Sequence, residues 1–412
     1  YEIDINYKVP LNEKSKLELG YDGRFNSSKE NMKFQLSGEE NNEPSWIFLG
    51  NNDFDYSRTI HAFFAEYQIE LNDRFSLKPS IRIENVNKNI NFIINDTTIT
   101  GTPQSVYAQY LLDKNFEPIN VKETNFFPDL HLTYNITEKQ NIQLGVSKRI
   151  KRPSGGGHWG QLRPFPKSVY NDKWIFIGNP FLKPEFSTQY EISFKSPMPM
   201  GFFYTNLYYR NIENSIQWDD YELDGDFSGK ATTFSNAEGG TDMGMEAFMM
   251  VMGQTIGGGY NINELYDSSN DFNLNGKNER INMYMRINVP EEYIKLFGFE
   301  FSFYYMRMKV PGGTLFGDSG TIWAKTGISK SLLNNRVNVS LSIDNLFDKG
   351  GFQMQRAKPM YDGSEEITEI FSTRGGRTFS LSIKYNFGKL QEEKRKTRRT
   401  SRGGNESMDM GY

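Results

Sequence analysis

The chain has no cysteine among its 412 residues, which removes disulfides, thiolate metal sites and cysteine nucleophiles together. That absence suits a periplasm-facing compartment, where a stray thiol risks wrong pairing. Histidine is almost as scarce: His61, His131 and His158 are the three, and none stands at metal-ligand spacing from a second. No apolar run approaches the roughly 20 residues that a membrane helix needs, and mean hydropathy is -0.64. A helical membrane protein is therefore excluded, but a strand-built one is not, because strands that alternate lipid-facing and interior-facing residues average out as polar. A net charge of -4 gives no basic surplus for a nucleic-acid partner.

No catalytic constellation takes the place of the missing groups. The glycine runs near Gly155 and Gly257 lack the lysine and helix of a phosphate loop. The acidic string Asp219–Asp226 lacks the terminal glutamate of a calcium loop and reads as a solvated turn. The expectation is a protein that is not an enzyme and carries no cofactor or metal.

What the chain has in quantity is 23 Tyr, 32 Phe and 37 Gly, the composition of many glycine-punctuated strands. Period-2 alternation dominates. Phe379, Leu381, Ile383, Tyr385 and Phe387 share one face against Ser380, Ser382, Lys384 and Asn386. Ile281, Met283, Met285 and Ile287 stand likewise against Arg280, Asn282, Tyr284 and Arg286. Fifteen such segments lie near 1–10, 15–27, 57–72, 75–93, 125–137, 140–152, 184–197, 201–218, 231–251, 254–267, 277–290, 297–313, 319–333, 336–350 and 372–388. Many match the roughly 9 to 11 residues that cross a bilayer at a tilt.

The links alternate in length. Short ones fall near 11–13, 72–74, 137–139, 196–200, 252–253 and 334–335; long ones span 28–56, 94–124, 153–183, 219–230, 268–276 and 351–371, with a moderate link at 311–318. Short periplasmic turns and long outer loops make this pattern in a bacterial outer-membrane barrel. The fold class expected is all-β, a transmembrane antiparallel β-barrel over 1–388 in contact with outer-membrane lipid. Both the first and the last strand run toward the short-turn side, so an even, closed count needs an odd number of strands before Tyr1. Seven would make 22 and one would make 16; parity alone does not choose. Residues 389–412 carry seven basic and four acidic side chains and few apolar ones, and are expected to be a disordered periplasmic tail.

On one parity lie Glu18, Asp22, Arg24, Lys78, Arg82, Glu84, Glu191, Lys195, Arg210, Arg280 and Arg286, with His131 beside Asp129, Thr133 and Asn135. They are expected to line the interior as a hydrated wall that packs a plug, with a substrate path as the alternative. In or beside the long links stand Trp46, His158, Trp159, Arg163, Tyr170, Trp174, Trp218 and Tyr221. Such rings stack on sugars, haem or aromatic siderophores; the competing reading is an interface belt or loop packing.

From Ser147 to Phe165 the chain reads SKRIKRPSGGGHWGQLRPF, and from Gly178 to Phe194 GNPFLKPEFSTQYEISF. With SLSIDNLFDK at 340–349 and RTFSLSIKYNFGK at 377–389, this resembles TonB-dependent receptors, in particular the outer-membrane β-barrel family of Bacteroidota. LRPF stands where the family has an LNPF-like string, preceded by an insert of Gly155, Gly156 and Gly157. The resemblance implies TonB-dependent uptake of a siderophore, haem, glycan or peptide. It also implies a plug in the same intact chain, a TonB contact through a segment preceding Tyr1, and a surface lipoprotein as a further partner. A passive porin-like channel and a surface attachment or assembly barrel are the rival readings. On the residues alone, GNPFLKPE is a loop re-entering a strand, since Gly178, Asn179 and Pro180 favour turns and Pro184 keeps Lys183 extended.

Overall fold

The computed structural model describes residues 1–40, 43–100, 117–154, 161–163, 166–171, 174–223, 229–266, 276–310, 313–359, 365–373 and 376–387. The expected tail at 389–412 lies outside them. The described residues form one sheet of 20 strands. In chain order it opens with β1 (Glu2–Asn12), β2 (Ser15–Glu40), β3 (Glu43–Glu70), β4 (Phe75–Thr100), β5 (Ile119–Asn135) and β6 (Asn141–Lys151). Next come β7 (Pro166–Asn171), β8 (Trp174–Ile177), β9 (Glu185–Met198), β10 (Gly201–Leu223), β11 (Gly229–Val251), β12 (Gln254–Tyr266) and β13 (Gly276–Val289). A single helical turn, α1 (Glu291–Ile294), precedes β14 (Gly298–Val310), β15 (Gly313–Leu315), β16 (Thr321–Leu332), β17 (Val337–Asp344), β18 (Gly351–Pro359), β19 (Glu365–Thr373) and β20 (Thr378–Tyr385).

Fifteen of these strands fall on the fifteen alternating segments; of the remaining five, β7, β8, β15 and β18 lie inside the expected links 153–183, 311–318 and 351–371, and β19 begins in the last of these and ends two residues beyond it. Neighbours pair antiparallel from β1 through β20, with β6 joined to β9, β14 to β16 and β17 to β20 across the short extra strands. The one parallel contact among the described residues joins β11 to β8. Among those residues β1 pairs only with β2, and β20 only with β17, so the wall has two unpaired edges.

The link expected at 28–56 turns out to be mostly paired backbone. Strand β2 runs on to Glu40 and returns as β3 from Glu43, residue against residue down to Ser15 opposite Ile69. Above the bilayer the outer face of a hairpin meets water, so an apolar outer period is no longer required, yet each N–H and C=O still needs a partner and the ladder continues.

Cross-strand register turns the alternation into a band. Tyr21 stands opposite Phe63, Phe63 opposite Ile83, and Ile83 opposite Phe126. Further round, Leu207 faces Met245, Met245 faces Tyr260 and Tyr260 faces Ile281. These are the exposed side chains: Phe63 is 60% accessible, Met245 50% and Met283 49%. On the other face Asp22 and Glu84 are only 5% and 4% accessible. Large exposed apolar side chains with carboxylates inside are the inverse of a water-soluble sheet, and only a lipid surround makes that arrangement stable.

The short turns close on local side-chain acceptors. Asn12 Oδ1 accepts from the Lys14 amide at 2.9 Å, Asn72 Oδ1 from the Arg74 and Phe75 amides at 2.9 Å, and Thr137 Oγ1 from the Gln140 amide at 3.1 Å. Helix α1 serves a different need. Strand β16 outruns β14, whose first residue, Gly298, stands opposite Ser329. The Ser331 amide beyond that point donates instead to Glu291 Oε2 at 2.8 Å, and Lys330 Nζ lies 2.5 Å from Glu291 Oε1.

Replacing Met283 by Arg puts a charge on the lipid face near mid-strand and should lower refolding stability by about 2–4 kcal/mol in a denaturant titration in lipid. The neighbouring interior-face change Asn282→Arg should be much milder. Glu291 is held below the ordinary carboxylate value of 4.5, first by the hydrogen bond from Lys330 and then by the one from the Ser331 amide. Its stabilisation is therefore complete above that ordinary value and is lost as pH falls through the depressed one. Protection of the Ser331 amide in hydrogen exchange should drop over that acid range, and Glu291→Ala should remove the pH dependence.

Candidate functional site

The interior face carries two polar systems at strand mid-height. On the first, Arg82 Nη2 lies 2.6 Å from Asp22 Oδ2 and its Nε 2.7 Å from Glu84 Oε1. Arg24 reaches Asp22 at 2.9 Å and Glu2 at 3.4 Å, and Arg152 closes on the far oxygen of Glu84. The chain of alternating charge crosses β3 over Ala62, which stands between Asp22 and Glu84 in register and has no bulk to interrupt it. Below it, Lys78 pairs with Glu66 at 2.8 Å.

The second system runs from β5 to β13. His131 Nε2 lies 3.0 Å from Asp129, and its Nδ1 faces Glu191 at 4.0 Å. Gln189 Nε2 donates to Glu191 at 2.8 Å and Arg210 donates to Gln189 Oε1 at 3.1 Å. Arg210 also meets Asp242 at 3.4 Å, Asn261 donates to Asp242 at 3.2 Å, and Arg280 Nε donates to Asn261 Oδ1 at 2.9 Å. Arg286 stands on the same face, opposite Thr255 and Ser302. Between the charges the wall is paved by rings lying over small residues: a Cβ at Gly257 would come within 2.6 Å of the Tyr284 hydroxyl. Tyr304 and Trp323 continue the paving with ring centroids 5.5 Å apart.

At the long-link end the same interior face becomes apolar. Phe54, Ile60, Val86 and Ile90 are buried there together with Leu162 and Leu182 of the 152–184 segment. That segment thus packs inward against β3 and β4, and two stretches of it grip each other. The Gly178 amide donates to the Arg163 carbonyl at 2.8 Å and the Asn179 amide to the Gln161 carbonyl at 2.7 Å. A Cβ on Gly178 would overlap the Arg163 carbonyl and come within 2.7 Å of the Gln161 oxygen, so a side chain cannot be placed there. Asn179 Nδ2 donates to the Phe234 carbonyl at 2.9 Å, and Asn236 of β11 exchanges hydrogen bonds with Lys183 at 2.8 and 3.0 Å. The loop-to-strand punctuation read from GNPFLKPE is therefore half of a clamp whose other half is QLR at 161–163. The motif at 340–349 is similarly built: Asn345 accepts from the Gly350 amide at 2.9 Å and donates to the Gly376 carbonyl at 3.1 Å.

The ring-bearing candidates are spread around the long-link end. Trp46 is in β3 opposite Gly38; Trp218 and Tyr221 are in β10 opposite Phe234 and Ala231 of β11. Trp174 in β8 pairs with Lys230, so β11 brings the Trp174 and Tyr221 backbones to its two sides, and Tyr170 lies in β7. Arg163 is ion-paired with Glu30 of β2. His158 and Trp159 lie outside the described residues. Sequence reasoning missed Arg58, Lys88, Glu123 and Arg152; Arg58 and Lys88 lie in alternating segments on the face of Arg82 and that signal would have found them, whereas Glu123 fell in the expected link 94–124, into which β5 extends.

Paired strands, an apolar outer band and a charged inner face define an outer-membrane β-barrel wall. The chain belongs to the outer membrane protein beta-barrel family, whose model matches residues 1–385. It is accordingly an outer-membrane protein and not an enzyme. Among solved structures it is similar to the ferric yersiniabactin uptake receptor FyuA from Yersinia pestis. The identity is 13%, the TM-score is 0.55, and the match covers 94% of this chain and 54% of that one. A variant of the ferric enterobactin receptor PfeA from Pseudomonas aeruginosa matches at 14% identity over 93% of this chain and 61% of its own, with TM-score 0.45. The copper transporter OprC matches at 12% over 90% and 57%, with TM-score 0.49. At such identities the likeness is one of fold, and the chain spans 54% of the length of the FyuA chain. No curated protein matches the chain.

The clamp makes its own prediction. Gly178→Ala should release the segment from the inner wall and speed proteolytic nicking within 153–183 by at least about tenfold, while the barrel keeps its heat-modified gel mobility. Unchanged nicking would mean that the clamp does not hold the segment.

Proposed function

We propose that this chain forms the larger part of the barrel of a TonB-dependent receptor, taking up a scarce nutrient across the outer membrane. The observation that carries the reading is the barrel fold shared with the ferric yersiniabactin uptake receptor across 94% of the chain. The two interior systems fit it. A wall whose charges are already paired with one another offers a hydrated, exchangeable surface to a plug and does not grip it through single strong ion pairs. The closed barrel has 22 strands, and the plug and the segment that engages the TonB complex belong to the same intact protein.

Cargo is first held at the long-link end, by Trp46, His158, Trp159, Arg163, Tyr170, Trp174, Trp218 and Tyr221. Aromatic faces and an arginine there suit a siderophore, haem, glycan or peptide. Release inward follows movement of the plug, for which Lys78, Arg82, Glu84, His131, Glu191, Arg210, Arg280 and Arg286 provide the facing wall. A surface lipoprotein is a fitting partner for the outward end, and the basic segment 389–412 faces the periplasm.

Uptake by a deletion strain on limiting iron or limiting glycan tests this. The expected result is loss of uptake of one nutrient, restored by the intact gene but not in a strain lacking TonB, and reduced by Trp174→Ala. Uptake that persists without TonB would identify a passive channel. An absence of any uptake defect would identify an attachment barrel.

A further inference from the structure

The rings on the inner wall are not scattered. Tyr204 of β10 stands opposite Phe248 of β11, Phe248 opposite Gly257 of β12, and Gly257 opposite Tyr284 of β13. Tyr284 stands opposite Tyr304 of β14, and Tyr304 opposite Trp323 of β16. A single line of register partners therefore crosses the wall from β10 to β16 with an inward, half-buried ring on each strand except β12. There the glycine keeps the line open, because the Tyr284 hydroxyl lies where a side chain at Gly257 would stand. Ring centroids are 5.4 Å apart for Tyr204 and Phe248 and 5.5 Å apart for Tyr304 and Trp323. Buried Phe316 meets Trp323 edge-on at 5.9 Å and props the last ring.

The line also climbs. Barrel strands tilt to the axis, so a row that crosses them at right angles winds up the wall. Tyr204 lies three residues from the short-turn end of β10 at Gly201, whereas Trp323 lies nine residues from the short-turn end of β16 at Leu332. The result is a ramp of aromatic faces leading from the outer end towards the periplasm. Its pitch is the strand spacing, ~4.8 Å, close to the length of one sugar unit in a linear chain. Polar side chains border it on both sides. Glu246 and Asn282 lie toward the long links, and Arg286, Ser302 and Lys325 toward the short turns. With Glu300, which pairs with Lys325 at 3.4 Å, the bordering charges are two of each sign. Flat rings edged by amide, carboxylate and guanidinium groups without surplus charge suit a neutral ligand that has apolar ring faces and hydroxyl edges.

We propose that this ramp is a track for a linear, neutral oligosaccharide, whose successive sugar rings stack on Trp323, Tyr304, Tyr284, Phe248 and Tyr204 on the way inward. As part of a transport path the track rests on the uptake reading and narrows its cargo to glycans.

The test is uptake of labelled maltohexaose and cellohexaose, with glucose as the single-ring control, in a deletion strain carrying the intact gene or a variant of it. At least one hexamer should enter about tenfold faster with the gene than without it, and glucose should be indifferent. Trp323→Ala and Tyr284→Ala should each slow hexamer entry by about tenfold. Trp323→Phe and Tyr284→Phe should keep most of the rate, because a ring face is what is needed. Trp323→Leu, which keeps bulk without the ring, should be as slow as Trp323→Ala and so separates stacking from packing. Tyr260→Ala, on the lipid face and 41% accessible in the parent, should change nothing; heat-modified gel mobility reports that each variant has folded. Entry of neither hexamer, or folded Trp323→Leu and Tyr284→Ala variants that transport as the parent does, would overturn the track. Hexamer entry that needs these rings but persists without TonB would remove the TonB-dependent reading and leave the track in place. Gene-dependent entry of another nutrient, with neither hexamer taken up, would do the reverse.

Discussion

In hydrocarbon no water is available to satisfy a peptide group, so every N–H and C=O of a crossing segment must be met by another strand. Everything else in this chain follows from that requirement. Pairing must be continuous, which sets strand lengths. The outer side chains must be apolar and the inner ones need not be, which sets the alternation. The turns need only close the ladder, which is why Asn12, Asn72 and Thr137 suffice as local acceptors. Where β16 extends past its neighbour, the same requirement reappears as Glu291 reaching across to the Ser331 amide.

That requirement also explains which parts were legible in the sequence. The fifteen crossing strands stand out because lipid imposes one rule on every second residue. Strands β7, β8, β18 and β19, and the upper halves of β2 and β3, lie beyond the lipid, where either face may be polar and no period marks them. Pairing persists there for the backbone's sake, so a stretch such as 28–56 reads as a loop and folds as a hairpin.

The site was legible in its parity and opaque in its contacts. Arg82, Glu84, His131, Glu191, Arg210 and Arg280 could be placed on one face by counting, and so could Arg58 and Lys88. Counting does not say that Arg82 reaches over Ala62 to Asp22, or that Arg152 joins from a segment 68 residues further on. The clamp is the sharper case. Gly178, Asn179 and Pro180 announce a turn, but what excludes a side chain at Gly178 is the backbone of 161–163, a neighbour known only once the segment is folded.

The clamp and the wall together account for how a polar interior acquires a defined outer mouth. A hydrated barrel wall alone offers no apolar surface on which a loop can settle, and a loop free in water would lose much conformational entropy on ordering. Here the interior face switches at Val86, Ile90 and Ile60 from charged to apolar, giving Leu162 and Leu182 a place to bury. Burial of two leucines contributes roughly 1.5–3 kcal/mol each, and the Asn179 and Asn236 hydrogen bonds then fix orientation more than they add stability. Charged residues at that junction, Arg58, Lys88 and Arg152 among them, sit at the boundary between the two regimes, partly desolvated by the same packing that holds the segment in place. A barrel that folds a loop onto its own inner wall thus extends to the seam the desolvation already felt by Asp22 and Glu84 lower down, and so strengthens the interactions of charge there.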